Sequence, residues 1–239
     1  MMMNQTLWRV GVRTVACVAM LGVLASCGNT PTRGQGWRVF TEAYKSRQAE
    51  GGDRAGGGAA AVPGDKQAAV ARTIASVKGP LMVAVLDVNK TTAVLTTIGQ
   101  NGPYVTWTTA DNQSLIFKRG VLTGTRGLGY DLMSSDADAA INLITSRRPG
   151  TVQRVYRHID GLNQEVPTTL SCTITVAGSD TVALSTGASY ATTRMKEVCR
   201  NDEVKVSNLY WVTSSGAIPQ SKQWISQQMG DLAVQVLRN

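Results

Sequence analysis

The chain has 239 residues and a mass of 25.4 kDa, which is enough for one large domain or two small ones. It carries 24 Lys and Arg against 16 Asp and Glu, for a formal charge of +8, and a single histidine, His158. One histidine excludes a multi-histidine metal centre. No apolar run reaches the about 18–20 residues needed to span a bilayer.

Residues 1–26 have the order of a secretory signal peptide: two arginines, an apolar stretch without charge, and small residues. The segment ends in Leu24-Ala25-Ser26-Cys27, which resembles a bacterial lipobox. In such signals the cysteine is acylated and becomes the first residue of the mature chain. The alternative is an ordinary signal peptide cut near Ala25.

Acylation of Cys27 predicts a protein held on a membrane surface without crossing it, because two or three acyl chains anchor stably. Gly28 follows the cysteine in place of the Asp that favours inner-membrane retention in similar lipoproteins. We therefore expect a periplasm-facing, lipid-anchored protein of the outer membrane. Processing lowers the net charge to +6 by removing two arginines. The remaining charge suits a solvated surface, anionic lipid or acidic polysaccharide, and nucleic acid is excluded as a partner.

The mature chain divides into two parts. Residues 27–79 are predicted to form a polar tether, short helices over 37–49 and 66–76, and a flexible Gly/Ala-rich loop at 51–65. Residues 80–239 are predicted to form one β-rich periplasmic domain.

In this domain, short β-rich runs alternate with Gly, Asn and Asp turns, which is the pattern of an antiparallel meander. Separate strands are predicted at 167–176 and 181–185, among others. One internal helix is predicted over 134–145, capped by Ser135 or Asp136. The fold class is therefore mainly β: a large curved antiparallel sheet or partly closed barrel of short strands with one or two short helices, in which closure protects the exposed strand edges.

Two cysteines remain after the signal peptide and the anchor are set aside. Cys172 and Cys199 are expected to form a disulfide, because an exported protein meets an oxidising compartment. Two free thiols are the alternative. A redox function is disfavoured, since no Cys-x-x-Cys is present.

The segment 120–132 is the most distinctive in the chain. Its glycines permit positive φ or close backbone approach, and Arg126 offers a planar set of donors that suits carboxylate or phosphate. Asp131 is placed to pair with Arg126. This arrangement either staples a bulged strand pair or contacts a ligand, whereas a phosphate-binding loop is excluded because its glycine spacing and Gly-Lys-Ser/Thr are missing.

A catalytic function finds little support. A Ser-His-Asp triad would have to use His158, which lies in a predicted strand, and no Gly-x-Ser-x-Gly elbow is present. A glycosidase needs two carboxylates at a fixed separation, which the sequence does not place. Trp107 and Trp211 are candidate contacts for sugar rings, although aromatic side chains in a chain with 5% aromatic residues are needed mainly for the core.

The motif Thr125-Arg126-Gly127-Leu128-Gly129-Tyr130-Asp131-Leu132 resembles the YjbF/GfcB family of group 4 capsule lipoproteins. The likeness extends over nearly the whole chain: it starts with the lipobox and includes Val105-Thr106-Trp107, the cysteine pair, Asn208-Leu209-Tyr210-Trp211 and the run 220–226. The resemblance implies a role in making or exporting surface polysaccharide, and it transfers no catalytic residues.

The sequence thus predicts a non-enzymatic outer-membrane lipoprotein that supports assembly or secretion of capsule or exopolysaccharide. It needs no cofactor or metal, and its expected partners are the membrane, polysaccharide-export proteins or acidic polysaccharide. The candidate contact residues are Arg126, Asp131, Trp107 and Trp211. The alternative is a periplasmic glycan-binding or glycan-modifying protein.

Overall fold

A computed structural model describes residues 74–89, 91–184 and 186–239. The predicted signal peptide, Cys27, the Gly/Ala-rich loop and the helix predicted over 37–49 lie outside these residues. Of the helix predicted over 66–76, only residues 74–76 are described, and they are helical. None of the described helices has the length and apolar character to cross a membrane.

Twelve antiparallel strands form one sheet in the order β5-β4-β3-β2-β1-β12-β11-β10-β9-β8-β7-β6. Because β5 and β6 are also brought together, the sheet curls into a nearly closed barrel, which confirms the predicted fold class. The strands are β1 Leu81–Leu86, β2 Thr91–Asn101, β3 Tyr104–Thr108, β4 Ser114–Lys118, β5 Val121–Arg126, β6 Leu132–Asp136, β7 Gly150–Ile159, β8 Glu165–Ala183, β9 Ser189–Arg200, β10 Lys205–Thr213, β11 Gln220–Ser226 and β12 Gly230–Arg238.

Strand β1 is buried on both faces. It pairs along its whole length with β2 and β12, and all six of its residues are buried. Met82, Ala84 and Leu86 point into the barrel core, whereas Leu81 and Val83 point outward. The outward pair is covered by an outer cluster, which also contains Val182, Leu184 and Leu237. A continuous apolar run is the expected pattern for a strand covered on both sides.

The junction between β5 and β6, here called the seam, is closed by side chains. No backbone ladder joins these two strands among the described residues. Thr125 Oγ1 accepts a hydrogen bond from Leu132 N at 3.0 Å, and Gly124 lies where an added Cβ would be 3.5 Å from the Met133 carbonyl oxygen. A Cβ there would make ordinary contact with β6, and a tighter contact of 3.2 Å with Ile116 Cδ1 of β4.

The turn between β4 and β5 is a tight two-residue hairpin. Arg119 and Gly120 both have positive φ, 50° and 84°, as a two-residue type I′ hairpin requires. A Cβ at Gly120 would lie 2.8 Å from Ile218 Cβ. Gly120 is thus required by its neighbour as well as by the turn.

The internal helix is shorter than predicted. Helix α1 spans Asp138–Thr145, its N-cap Ala137 makes no side-chain capping bond, and the predicted caps Ser135 and Asp136 belong to β6. The prediction of a helix from 134 is wrong because residues 132–136 are used to pair with β7. Buried residues of α1 pack against β7, β8 and β10 at one end of the barrel.

The β8–β9 hairpin is longer than the sequence suggests. The two separate strands predicted at 167–176 and 181–185 are one 19-residue strand with a bulge between Val176 and Gly178. Beyond the bulge, Val182 of β8 packs in the outer cluster. Cys172 and Cys199 are register partners in the two strands and are joined by a disulfide.

Candidate functional site

The loop between β5 and β6 is organised by Asp131. Its carboxylate accepts hydrogen bonds from Gly127 N at 2.8 Å, from Leu128 N at 3.2 Å and from the Thr125 hydroxyl at 2.6 Å. Gly127 and Gly129 have φ values of 81° and 103°, in the region that favours glycine. Asp131 therefore supports the loop from within.

Arg126 does not pair with Asp131, which corrects the ion pair considered from sequence. Its guanidinium donates to the carbonyl oxygens of Leu132 at 3.2 Å and Met133 at 3.1 Å, on the opposite side of the seam. Backbone N–H groups already donate to the Asp131 carboxylate, and Arg126 donates instead to carbonyl oxygens of β6. The residue remains solvent-exposed, and the staple interpretation of this motif describes the contacts better than the ligand interpretation.

A fully buried ion pair lies inside the barrel. Arg154 Nη1 donates to Glu197 Oε2 at 2.9 Å, and the two side chains are 1% and 0% exposed. The guanidinium also donates to Ser135 Oγ of β6 at 3.1 Å and to the Leu122 carbonyl of β5 at 3.0 Å. Arg154 thus holds both edges of the seam from within the core.

Glu197 Oε2 is surrounded by donors. Besides Arg154, it accepts hydrogen bonds from Asn208 Nδ2 at 2.7 Å and from the Tyr210 hydroxyl at 2.8 Å. Glu197 Oε1 accepts no hydrogen bond from the described residues. Burial and the nearby Glu197 carboxylate raise the pKa of Tyr210 well above its ordinary value. This tyrosine is therefore a hydrogen-bond donor and not a base at neutral pH.

A second tyrosine flanks the guanidinium. The Arg154 guanidinium carbon lies 4.4 Å from the centre of the Tyr156 ring, a cation–π distance. Burial raises the pKa of Tyr156 as well. For Arg154, desolvation would lower the pKa, but Tyr156, Glu197 and Tyr210 together raise it. The Arg154–Glu197 pair is a structural unit that solvent does not reach.

Gln223 of β11 completes the set that we call the core polar network: Arg154, Glu197, Tyr156, Asn208, Tyr210 and Gln223. Gln223 Oε1 accepts from Leu122 N at 2.8 Å, and Gln223 Nε2 donates to the Gly120 carbonyl at 3.1 Å. The amide thereby pairs one backbone group of β5 and one of the β4–β5 turn, at the edge where β5 has no partner strand. An unpaired buried backbone group would be costly.

The single histidine takes part in packing. His158 Nε2 is 2.8 Å from the Ile225 carbonyl oxygen, and because a carbonyl oxygen only accepts, Nε2 is the donor in this bond. Its ring lies edge-to-face on Trp224, with centroids 5.5 Å apart. Both interactions hold β7 against β11.

The two candidate tryptophans have different environments. Trp107 is only 6% exposed and belongs to the barrel core, so it offers little surface to a sugar. Trp211 is half-buried against the outer cluster. Its indole N–H donates to Asp180 Oδ2 at 2.9 Å, and Arg194 Nη1 donates to the same oxygen at 2.9 Å.

An open cleft of about 490 Å³ lies beside Asp180, where the β8–β9 hairpin passes the end of α1. Its lining is mostly hydroxyl-bearing, with one arginine, one aspartate and two small apolar residues. The lining residues are Arg147, Ser179, Asp180, Thr181, Ala191, Thr192, Thr193, Val212 and Ser214.

The structure therefore separates the four candidate contact residues. Arg126 and Asp131 share the seam loop, Trp107 is in the core, and Trp211 lies near the cleft through Asp180. Sequence reasoning missed the core polar network and the cleft. Strand alternation places Arg154 and Tyr156 on one face of β7, and this was the available signal for the network. No local pattern indicates the cleft.

Comparison with known proteins gives a family and a fold. A family model described as the group 4 capsule polysaccharide lipoprotein GfcB, YjbF, matches residues 55–237. No curated protein matches the chain. The crystal structure of the hypothetical lipoprotein YmcC from Escherichia coli K12 is similar, with a TM-score of 0.61 at 18% identity over 70% of this chain and 88% of that one. A putative exported protein with a YmcC-like fold from Bacteroides fragilis has a TM-score of 0.29 at 10% identity, over 68% of this chain and 95% of that one.

Proposed function

Because the chain belongs to the group 4 capsule polysaccharide lipoprotein family, GfcB/YjbF, we propose that it is a non-enzymatic outer-membrane lipoprotein. It is acylated at Cys27, faces the periplasm and supports the assembly or secretion of a capsule or exopolysaccharide. The observation that carries the proposal is the family match over residues 55–237. The lipobox that ends at Cys27 is a second, independent support.

The use made of the polar side chains supports a non-enzymatic role. His158 is held by a backbone carbonyl and a tryptophan ring, and the Arg154–Glu197 pair is closed to solvent. Asp131 and Asp160 are bound to backbone N–H groups of their own loops. Each of these groups stabilises the fold, whereas a catalytic acid or base must reach its substrate.

The function is tested by deleting the gene and measuring polysaccharide released from the cell surface. The deletion strain is expected to lose surface polysaccharide, and the wild-type gene on a plasmid is expected to restore it. Unchanged polysaccharide in the deletion strain would contradict the proposal.

The anchor is tested by Cys27→Ser, with Cys17→Ser as the matched control because Cys17 lies in the predicted signal peptide. Labelling with an alkyne analogue of palmitate should mark the wild type and the control but not Cys27→Ser. Labelling of Cys27→Ser would overturn the assignment of the acylated residue.

The membrane is tested by Gly28→Asp. We expect this variant to fractionate with the inner membrane on a density gradient, whereas the wild type fractionates with the outer membrane. Wild-type protein in the inner-membrane fraction would show that the location is wrong.

A second candidate function is binding of glycan in the periplasm. The cleft of about 490 Å³ beside Asp180 favours it, because this volume is in the about 300–1,000 Å³ range of ligand sites.

A further inference from the structure

Helix α1 ends in a turn in which Arg147 has an unusual backbone conformation. Arg147 N donates to the Ile144 carbonyl and Arg148 N to the Leu143 carbonyl, both at 2.9 Å. These two bonds form a Schellman motif, in which the residue after the C-cap is usually glycine or asparagine. Here that residue is Arg147, with φ at 55°. The backbone would be less strained with a glycine at this position.

The Arg147 side chain is oriented but not neutralised. Its Nη1 donates to the Thr213 carbonyl oxygen, which ties the end of α1 to the end of β10. None of the ion pairs among the described residues includes Arg147. The guanidinium has five N–H donors, and its other donors make no hydrogen bond to the described residues. Arg147 therefore brings a half-buried positive charge to the cleft that it lines.

The rest of the cleft suits a polar, negatively charged ligand. Five of its nine lining residues are serine or threonine, whose hydroxyls both donate and accept hydrogen bonds. The one carboxylate, Asp180, is already paired with Arg194 at 2.9 Å and bonded to the Trp211 indole. The cleft thus combines an uncompensated cation with a wall of hydroxyl groups.

We propose that this cleft binds an acidic sugar unit of a polysaccharide, with Arg147 contacting the carboxylate or phosphate group and the serine and threonine hydroxyls contacting the ring hydroxyls. A guanidinium binds both kinds of anion in a planar, two-pronged geometry. The inference rests on the proposed function for the source of the sugar.

The test is a two-dimensional NMR titration of the full mature chain with three sugar probes. Tetragalacturonate carries carboxylates, mannose 6-phosphate carries a phosphate, and cellotetraose is neutral. We expect at least one acidic probe to shift the amide signals of Arg147, Thr181 and Thr193, and cellotetraose to shift none of them. The acidic probe that binds identifies the anion. No saturable shift with either acidic probe at millimolar concentration would overturn the proposal.

Adjacent arginines supply a matched pair of variants. Arg147→Gln and Arg148→Gln each remove one positive charge from the same turn, but only Arg147 lines the cleft. We expect Arg147→Gln to weaken binding about tenfold or more, and Arg148→Gln to leave it within twofold. Equal weakening by both variants would show a diffuse effect of charge and would refute a site at Arg147.

Arg147→Gly separates binding from folding. Glycine suits the left-handed conformation, so this variant should melt no lower than Arg147→Gln while it binds the acidic sugar as weakly. Undiminished binding by a folded Arg147→Gly protein would overturn the proposal.

Complementation of the deletion strain with Arg147→Gln distinguishes this inference from the proposed function. If the deletion strain loses surface polysaccharide and Arg147→Gln restores it fully, the cleft proposal fails and the proposed function stands. If the deletion strain keeps its polysaccharide, the proposed function fails whatever the titration shows.

Discussion

Strand β1 and the seam are held to their neighbours in the same barrel by different kinds of interaction. Strand β1 is held by backbone ladders on both sides and by apolar residues on both faces. The seam is held by side chains, among them Arg126 from β5 itself and Arg154 and Gln223 from strands β7 and β11. A ladder needs only that two strands lie side by side, whereas a side-chain closure needs particular residues at particular positions. We therefore expect single substitutions to damage the seam more than the ladders.

The largest effect is expected from Arg154→Met. The substitution leaves the buried Glu197 carboxyl group without its cation and removes the donor to the Leu122 carbonyl at the seam. Breaking a buried ion pair costs about 3–5 kcal/mol, which chemical denaturation would measure as a lower free energy of unfolding.

The double variant Arg154→Met/Glu197→Met is the control for this prediction. Removing both charges should cost less than the sum of the two single substitutions, because no buried charge remains unpaired. Additive losses would show that Arg154 and Glu197 stabilise the fold independently, and would contradict the prediction.

Loss of the disulfide tests the ladder side of the comparison. The bond spans 27 residues and joins register partners of β8 and β9. In the chain-entropy model, Cys172→Ala/Cys199→Ala costs about 3–4 kcal/mol, mainly through the unfolded chain. Because the β8–β9 ladder remains, amide hydrogen exchange at the seam should keep its order of protection. Selective loss of protection at β5 and β6 would contradict the division between ladder and seam.

A smaller effect is expected from Gln223→Leu. Leucine is of similar size, but it leaves Leu122 N of β5 and the Gly120 carbonyl of the β4–β5 turn without their partner. Leaving a buried polar group unsatisfied costs about 1–3 kcal/mol. Gln235→Leu, on the neighbouring strand β12, is the control, since Gln235 is bonded at the barrel surface. An equal loss of unfolding free energy in the two variants would show that the seam is no more sensitive to substitution than the barrel surface.

The smallest effect is a dependence on alkaline pH. Burial raises the pKa of Tyr156 in the folded protein, so the stability it contributes is present below its unfolded pKa of about 10 and falls as the pH rises above it. One such tyrosine lowers the free energy of unfolding by about 1 kcal/mol between about pH 10 and 11. The difference in stability between the wild type and Tyr156→Phe should shrink by this amount, and a constant difference would contradict the linkage.

Local sequence patterns were sufficient for much of the fold. The alternation of Leu170, Cys172 and Ile174 with exposed neighbours predicts a half-buried strand, and Arg119-Gly120 predicts a tight hairpin turn. The same reasoning failed at 134–136, where helical spacing continues into β6. Strand pairing with β7 overrides the local helical preference there, and a pairing partner distant in sequence leaves no local signal.

The candidate site was less accessible to sequence reasoning. The motif 125–132 stands out because glycine and a carboxylate are needed at fixed positions of one loop, which is a local requirement. Arg147 lies in a turn that looks ordinary in sequence, and its meaning depends on its φ and on residues 179–181 and 191–193 of a distant hairpin.

The sequence by itself predicted the mainly β class, the turns and the cysteine pair. These follow from the period of apolar residues, local backbone freedom and the oxidising compartment that the predicted signal peptide implies. Only the tertiary structure decided how the sheet closes, that Arg126 serves carbonyls instead of Asp131, and that Arg147 lines a hydroxyl-rich cleft. These outcomes depend on which side chains from separate strands come within hydrogen-bond distance, and that is a property of the folded arrangement.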